Sequence, residues 1–520
     1  MIERFSRIGI IGRMEFRMRM RKNTAVASLL IIAAIVYLVI PDLSTGRSLL
    51  RVGPGRALYN SAAVALGAAV FCSALMSLLG FYICSNSVRR DILNRTGYII
   101  AASPVGNGEY ILGKFFGNLL YLILLVVTSL VSAMVMFLIR GETPLQPGVF
   151  LMTYAWLVLP SAFFCAAAAI CFEAFPFLSG RAGDILFFLG WGVIISIPAM
   201  ALPSRTGLQW TDVVDILGLG PLISQLQQQF KTTSISIGAT DFDPRIAPVV
   251  FNGIQWSFTT VVARLITLVF PSLLLVAASL GFHRFNPTRS ASLLRSSKTG
   301  MWRKFNNLLR PVSKFAATLI GKGSSIPSAV LADAALTIVL SPFFGVSAFI
   351  VLVLSLTLQT ADVRATVLPI IVVVLVMLLS DISVRDHASG MQELIFSLPR
   401  RKRHYIFWKF CSALLLTLCL TGAPLLRFIH EPKIMISIVS GSILLSAGAV
   451  SFGILTRSGK LFVAVFLLLL YIGLNAREVA LFDFIGISGA AGPVVQGGVV
   501  LLSALLILAA TLRHRTAVGP

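Results

Sequence analysis

The residue types that catalyse reactions or bind metals do not occur in this chain at the spacings that such chemistry requires. The six cysteines lie in or beside apolar stretches without a Cys-x-x-Cys pair, and the five histidines are scattered over polar segments. Metal sites and activated nucleophiles need such side chains in defined clusters. The string nearest to a phosphate-binding loop, Gly-Lys-Gly-Ser-Ser at 321–325, lacks the required spacing. We therefore predict no catalytic, metal or cofactor site, and a chain that is not itself an enzyme.

Ionisable residues are also rare within the apolar stretches. Asp184, Arg264 and Asp381 lie at the ends of such stretches, where we expect their polar groups to reach the membrane interface. Carriers driven by protons or sodium typically place carboxylates near the middle of the bilayer. Because these stretches have nearly none, we expect the energy for any transport to come from another protein.

The most informative polar residues belong to a segment that the chain contains twice. Residues 85–120 align without a gap on residues 380–415, a shift of 295 positions. An internal repeat of this kind decides the architecture before any local prediction does. The identical pairs are Ser85/Ser380, Arg90/Arg385, Asp91/Asp386, Ile100/Ile395, Pro104/Pro399, Tyr110/Tyr405, Ile111/Ile406, Lys114/Lys409, Phe115/Phe410, Leu119/Leu414 and Leu120/Leu415.

Each copy of the repeat is a polar connection between two apolar stretches. Pro104 and Pro399 break a helix interior, so each predicts a corner between two short helices. We interpret the pair as stiff cytoplasmic elements, one in each half, that transmit force from an external motor. The alternative is a solvated loop that has stayed similar since a duplication.

Composition places most of the chain in lipid. It is 57% hydrophobic and only 12% charged, more apolar surface than a soluble domain can bury. A helix crosses the bilayer with about 20 apolar residues. We predict an all-α integral membrane protein with about twelve transmembrane helices in two homologous six-helix bundles. The predicted spans are 24–40, 57–84, 115–139, 149–171, 184–202, 262–282, a seventh from 343, 366–380, 406–426, 434–455, 461–474 and 494–512.

The polar segments divide the chain. We predict a first transmembrane half at 1–282, a basic cytoplasmic linker at 283–327 and a second half at 328–520. The basic segment 1–22 predicts an interfacial elbow helix, or else a plain charged flank of the first span, and 328–340 corresponds to it. Residues 41–56 predict a turn. Residues 203–261 form a long polar segment that predicts short outer helices, with a re-entrant path as an alternative. Residues 475–492 are a shorter segment of the same kind in the second half.

The net charge of +23 is explained by its distribution. Of the 43 lysines and arginines, 31 fall in segments that are cytoplasmic if the N-terminus is. We predict a multi-pass protein of the plasma (inner) membrane with both termini in the cytoplasm; Arg47, Arg51 and Arg56 are the main exceptions to the charge rule. The linker carries nine lysines and arginines and no acid. We expect it to contact anionic membrane lipids rather than nucleic acid.

The repeated connection also carries a resemblance. Residues 94–105 and 109–114, with the strings Asn-Arg-Thr-Gly-Tyr-Ile-Ile-Ala-Ala-Ser-Pro-Val and Glu-Tyr-Ile-Leu-Gly-Lys, resemble the signature of type-2 ABC exporter permeases. Residues 390–399 resemble it again and keep a glutamate, Glu393, where the first copy has Tyr98. The span plan of both halves is also similar, although most permeases of this class have six spans and pair as dimers.

The resemblance implies a permease subunit with no ATPase site. Two copies of a separate ATP-binding subunit would dock beneath 94–107 and 389–402, so that ATP is bound by the partner and no cofactor by this chain. Closure of those subunits would press coupling helices and open a path between the halves. The implied coupling residues are Arg90, Asp91, Asn94, Arg95, Pro104, Glu109 and Lys114 in the first copy, and Arg385, Asp386, Glu393, Pro399, Arg400, Arg401, Lys402, Arg403 and Lys409 in the second.

We therefore interpret the chain as the permease of an ATP-driven exporter of an unidentified lipid-like, amphipathic or drug-like substrate. The alternative is a twelve-span ion-coupled secondary transporter, and the scarcity of carboxylates within the spans counts against it. A third interpretation is a membrane enzyme or assembly factor, which the lack of a polar constellation disfavours.

Overall fold

A computed structural model describes residues 2–21, 23–94, 96–175, 178–200, 207–232, 234–282, 326–341, 343–397, 399–475 and 479–518. The chain divides into two compact units, Met1–Leu294 and Arg295–Pro520. The division falls within the predicted basic linker, of which residues 283–325 lie outside the described part. Each unit is considered by itself below.

The first unit contains eleven described helices. They are α1 (Ile2–Met20), α2 (Asn23–Val39), α3 (Ser61–Cys84), α4 (Ser87–Leu93), α5 (Thr96–Ala102), α6 (Asn107–Arg140), α7 (Pro147–Ala174), α8 (Arg181–Met200), α9 (Leu219–Phe230), α10 (Phe258–Ile266) and α11 (Val269–Gly281).

Local sequence signals account for several of these boundaries. The side chain of Asn60 accepts a hydrogen bond from the Ala63 amide and caps α3, and Pro147 occupies the first turn of α7, where its missing N–H costs nothing. Gly80 allows α3 and α7 to pack closely, since a Cβ at this position would lie only 3.1 Å from the Cβ of Cys165. The two most buried of the long apolar helices of this unit therefore meet at small residues.

The second unit repeats this order with nine described helices. They are α12 (Ile326–Leu340), α13 (Phe343–Thr357), α14 (Thr360–Leu379), α15 (Arg385–Ala388), α16 (Met391–Phe396), α17 (Pro399–Arg427), α18 (Pro432–Thr456), α19 (Lys460–Asn475) and α20 (Pro493–Val518). Helix α14 contains one wider π turn at Val363–Val367.

The helical membrane character of the chain is confirmed, whereas a count of twelve spans is not. Within the described residues, eight helices are long and apolar enough to cross a bilayer, or ten if each sharply bent pair, α1 with α2 and α12 with α13, is one span. Helices α8 and α19 coincide with predicted spans, but their apolar parts are shorter than a crossing needs.

A small three-stranded antiparallel sheet, which was not predicted, accompanies the helices of the first unit. Strand β1 (Arg47–Val52) pairs with β2 (Gly55–Arg56) and, on its other side, with β3 (Ile235–Asp241). The segments expected to form a turn and short outer helices thus meet. Of the short helices predicted within 203–261, the structure contains α9 and a 3₁₀ turn at Trp210–Val213. Strand β3 occupies another part of the same segment.

Two of the three arginines that disagreed with the predicted charge distribution, Arg47 and Arg56, lie in the sheet and form ion pairs. Arg47 forms an ion pair with Asp241 across β1 and β3, with Nε and Oδ1 3.0 Å apart. Both terminal nitrogens of Arg56 donate to the carboxylate of Glu142, at 2.7 and 2.8 Å. These positive charges are therefore compensated locally at the end of the unit that carries the sheet.

Candidate functional site

The first copy of the repeated segment is held by a largely buried group of acidic, basic and tyrosine side chains, which we call the first charge cluster: Glu15, Arg90, Asp91, Tyr110 and Lys114. The Lys114 ammonium lies 2.8 Å from Glu15 and 2.7 Å from Asp91. Arg90 donates to the same Glu15 oxygen at 2.6 Å, and the Tyr110 hydroxyl donates to Asp91 at 2.8 Å. The cluster therefore joins α1, α4 and α6 at one point.

The electrostatics of this cluster favour the ionised state of Glu15. Its side chain is fully buried, and burial alone would raise the pKa of the carboxyl. Lys114, Arg19 and Arg90 outweigh burial and hold the pKa of Glu15 below its usual value. Arg19 also donates to the carbonyl oxygens of Ile83 and Cys84, at 2.6 and 2.7 Å, so the end of α3 is tied to α1 as well.

The second unit contains the same arrangement, the second charge cluster: Asp333, Arg385, Asp386, Tyr405 and Lys409. The Lys409 ammonium lies 2.7 Å from Asp333 and 2.8 Å from Asp386. Arg385 donates to Asp333, and the Tyr405 hydroxyl donates to Asp386 at 3.0 Å. Every contact of the first cluster thus has a counterpart, with an aspartate on α12 in place of the glutamate on α1.

The helix crossings beneath the two clusters are also equivalent. In the first unit, a Cβ on Gly117 would lie 2.7 Å from the carbonyl oxygen of Gly12, so α1 and α6 touch backbone to backbone. In the second unit, Ser412 lies 295 positions after Gly117, and its hydroxyl donates to the carbonyl of Val330 at 3.1 Å. Val330 and Asp333 both lie 318 positions after their counterparts, Gly12 and Glu15.

Each cluster contacts a pair of short helices, a helical hairpin, whose second helix carries an exposed apolar side chain. We call α4 with α5 the first hairpin, and α15 with α16 the second hairpin. Ile99 on α5 is 74% exposed and Leu394 on α16 is 68% exposed, and the two residues are separated by the repeat shift of 295. Tyr98 and Met391 are exposed beside them. Most other exposed apolar side chains lie on the long apolar helices instead.

Additional contacts fix the first hairpin to α1 and α6. Glu109 accepts a hydrogen bond from the Gly106 amide at 3.1 Å and caps α6. Arg4 and Arg7 lie 3.6 and 3.5 Å from the same carboxylate, and Arg7 donates to the carbonyl of Pro104 at 2.9 Å. The corner that Pro104 predicted is present between α5 and the long helix α6, rather than between two short helices.

The first hairpin begins on a carboxylate supplied by α7. Glu173 is buried and accepts hydrogen bonds from the backbone amides of Asn86 and Val88, the latter at 2.6 Å. The second hairpin is joined to α18 by a neutral contact, in which the Ser383 hydroxyl donates to the carbonyl of Ala449 at 3.0 Å. The two hairpins are therefore fixed by equivalent charge clusters, but different contacts join them to α7 and to α18.

Glu173→Ala is expected to destabilise the first unit by about 1–2 kcal/mol, because buried amides at the start of α4 lose their acceptor. Ser383→Ala in the second unit is expected to cost about 1 kcal/mol or less. Chemical unfolding in micelles measures both. Equal effects of the two substitutions would contradict this account of the joint.

The predicted coupling residues fall into three groups. Six lie in the clusters: Arg90, Asp91, Lys114, Arg385, Asp386 and Lys409. Four others have described positions: Asn94 is exposed at the end of α4, Pro104 lies in the connection between α5 and α6, Glu109 lies in the first turn of α6, and Glu393 is exposed on α16. Arg95 lies outside the described residues, as do the side chains of Pro399, Arg400, Arg401, Lys402 and Arg403, whose backbone forms the first turns of α17.

Burial separates the roles open to these residues. The cluster residues are buried or half-buried and contact one another, so they position the hairpins and do not offer a surface to a partner. Asn94 and Glu393 are exposed and could contact one. Sequence reasoning missed Glu15 and Asp333 because they lie far from the repeat. The signal was present, since Asp333 is the only charged residue of α12.

Arg264 is placed differently from the expectation that it reaches the interface. It is 2% exposed, and its guanidinium donates to the carbonyls of Trp156 at 2.8 Å and Asp215 at 2.6 Å. The Asp215 carboxylate in turn accepts from the amides of Gly218 and Gly220, at 2.8 and 2.9 Å. Burial raises the pKa of Asp215, the largest influence on that group. Arg264 is therefore a buried structural contact that fastens α10 to the segment before α9.

The described residues contain no cluster of side chains suited to bind a metal ion. No three of their His, Cys, Asp or Glu side chains come together as metal ligands would. The clusters themselves consist of acids already neutralised by lysine and arginine. Comparison with protein-family models, with curated proteins and with solved structures finds no match to this chain.

Proposed function

We propose that the chain is the membrane-embedded permease subunit of an ATP-driven exporter, and that its two hairpins are docking sites for a separate ATP-binding subunit. The observation that carries the proposal is the duplicated hairpin. Each copy is fixed by a buried lysine between two acids, and each presents an exposed apolar residue at the same position of the repeat.

The geometry supports a mechanical role for the hairpins. A force applied at Ile99 would act on α5 and α4, and the first charge cluster connects α4 to α1 and to the 34-residue helix α6. Buried ion pairs with good geometry resist such displacement because separating them leaves uncompensated charges. The same connection exists from Leu394 through α16 and α15 to α12 and α17. A force on either hairpin would thus reach the long helices through short helices and ion pairs rather than through loops.

The exposed apolar residues support docking to protein. Ile99 and Leu394 lie on helices of seven and six residues, which are too short to cross a bilayer. A protein groove would bury them, and central apolar anchors of this kind often dominate binding energy. Two equivalent hairpins accordingly predict two copies of the partner on each chain. The exported substrate is proposed to be lipid-like, amphipathic or drug-like.

The proposal is tested by purifying the tagged chain from its native membranes in mild detergent. We expect an ATP-binding subunit at two copies per chain and ATP hydrolysis in the complex. Ile99→Asn or Leu394→Asn alone is expected to leave one copy, and the double variant to weaken binding by about 30-fold or more. Leu481→Asn is the matched control, because Leu481 is also 68% exposed but lies in the 3₁₀ helix Ala480–Phe482, outside both hairpins.

Two outcomes would reject the proposal. One is transport that continues when ATP is depleted and stops when an uncoupler collapses the proton gradient, the behaviour of the alternative secondary carrier. The other is an ATP-binding partner retained at full stoichiometry by the Ile99→Asn/Leu394→Asn variant. The second result is decisive if the double variant is stable and inserts into the membrane normally.

A further inference from the structure

Helix α1 has two faces of different character. The face toward α6 carries buried Gly12 and Glu15. The opposite face is exposed and alternates basic with apolar side chains, namely Ile10, Arg13, Met14, Arg17 and Met18, and the exposed Arg21 follows directly after the helix. None of these three arginines forms an ion pair with an acid among the described residues.

Helix α12 occupies the equivalent position in the second unit but lacks this basic face. Its only charged residue is Asp333, which belongs to the second charge cluster. Its exposed large side chains are Leu331, Leu336 and Leu340. The two halves therefore place the same cluster on helices whose outer faces differ strongly in charge.

We propose that the exposed face of α1 binds the headgroups of anionic phospholipids, and that this binding steadies the first hairpin but not the second. Arginine binds phosphate oxygens through two parallel hydrogen bonds. Ile10, Met14 and Met18, interleaved with the arginines, enter the boundary between headgroups and acyl chains, as in helices that lie in an interface. This interleaving favours a lipid surface over RNA or an acidic peptide, which would leave these apolar side chains in water.

The contacts of α1 provide the connection from lipid to hairpin. On its buried side, Glu15 binds Arg90 of α4 and Lys114 of α6. Nearer its start, Arg7 donates to the carbonyl of Pro104 between α5 and α6. A lipid that fixes α1 in place thereby reduces the freedom of α4 and α5. This inference does not depend on the proposed transport activity.

Hydrogen exchange of the full chain tests the proposal. The chain is reconstituted in nanodiscs of phosphatidylcholine alone, or of phosphatidylcholine and phosphatidylglycerol at about 3:1. With phosphatidylglycerol we expect exchange to slow by about tenfold or more at 2–20, given the usual attraction of a basic residue to an anionic surface. Exchange at 87–102 slows as well, while exchange at 326–340 is unchanged, and 0.5 M salt weakens the effect.

Variants distinguish the two steps. R13Q/R17Q/R21Q is expected to abolish the slowing at both 2–20 and 87–102, whereas the control K231N/R245Q/K433Q, which removes the same charge from exposed sites elsewhere, retains it. R7Q is expected to keep the slowing at 2–20 and to reduce it more at 96–102, next to Pro104, than at 87–93, which Glu15 still holds through Arg90. The proposal is wrong if the α1 triple variant retains the slowing, if the control loses it, or if 326–340 slows equally.

Discussion

Lys114→Met is expected to destabilise the first unit by about 3–5 kcal/mol, because it leaves the buried carboxylates of Glu15 and Asp91 without the cation between them. Lys114 is 4% exposed and lies within 2.8 Å of both acids. Lys409→Met is expected to have a similar effect in the second unit, where the ammonium is 1% exposed. Chemical unfolding in micelles, followed by tryptophan fluorescence, measures the free energy of unfolding for each variant.

A double-mutant cycle shows whether charge is the cause. Glu15→Gln removes one of the two carboxylates, so the variant that combines it with Lys114→Met is expected to be more stable than the sum of the two single effects predicts. Lys433→Met is the control, since Lys433 is exposed and is expected to change stability by less than about 0.5 kcal/mol. Additive effects in the cycle would show that Lys114 acts through packing alone.

Gly117→Ala is the second substitution with a large expected effect. An alanine Cβ would lie 2.6 Å from the Cβ of Glu15 and 2.7 Å from the carbonyl oxygen of Gly12, closer than real contacts allow. Helix α1 must therefore move away from α6, which also stretches the ion pairs of Glu15. We expect a loss of about 2–4 kcal/mol, overpacking together with weakened pairs.

The same helix provides the control. Gly108→Ala in α6 meets no atom within 4 Å, so alanine is expected to be neutral or to stabilise by up to about 1 kcal/mol through helix propensity. Ser412→Ala, at the equivalent crossing in the second unit, removes one hydrogen bond and is expected to cost about 1 kcal/mol. If Gly117→Ala were no worse than Gly108→Ala, the backbone contact between α1 and α6 would be disproved.

Local pattern was sufficient to locate the helices and the repeated hairpins. Long apolar runs predict helices because backbone groups in lipid must bond within their own segment. Whether a helix is long enough to cross the bilayer depends on a few residues at its ends. Helices α8 and α19 were therefore predicted as spans, although their apolar parts are too short. The sheet was missed because β1 and β3 stabilise each other across a long separation and neither has a strong signal alone.

The site was predicted only in part for a related reason. The ungapped repeat identified Arg90, Asp91 and Lys114 with their counterparts, since all of them share one shift. Glu15 and Asp333 follow a different shift, because the chain between the first helix and the repeated segment differs in length in the two halves. Pairing of distant charges is decided by tertiary packing, which a repeat search confined to one register does not detect.

The sheet has a consequence for synthesis of the protein. Arg47 in β1 pairs with Asp241 in β3, which follows 194 positions later. At 5–20 residues per second, β1 leaves the ribosome about 10 to 40 s before its partner strand exists. During that interval its edge is open to pairing with other chains. The first half therefore completes its fold only after nine of its helices have been translated, whereas no described element of the second unit waits for a strand in this way.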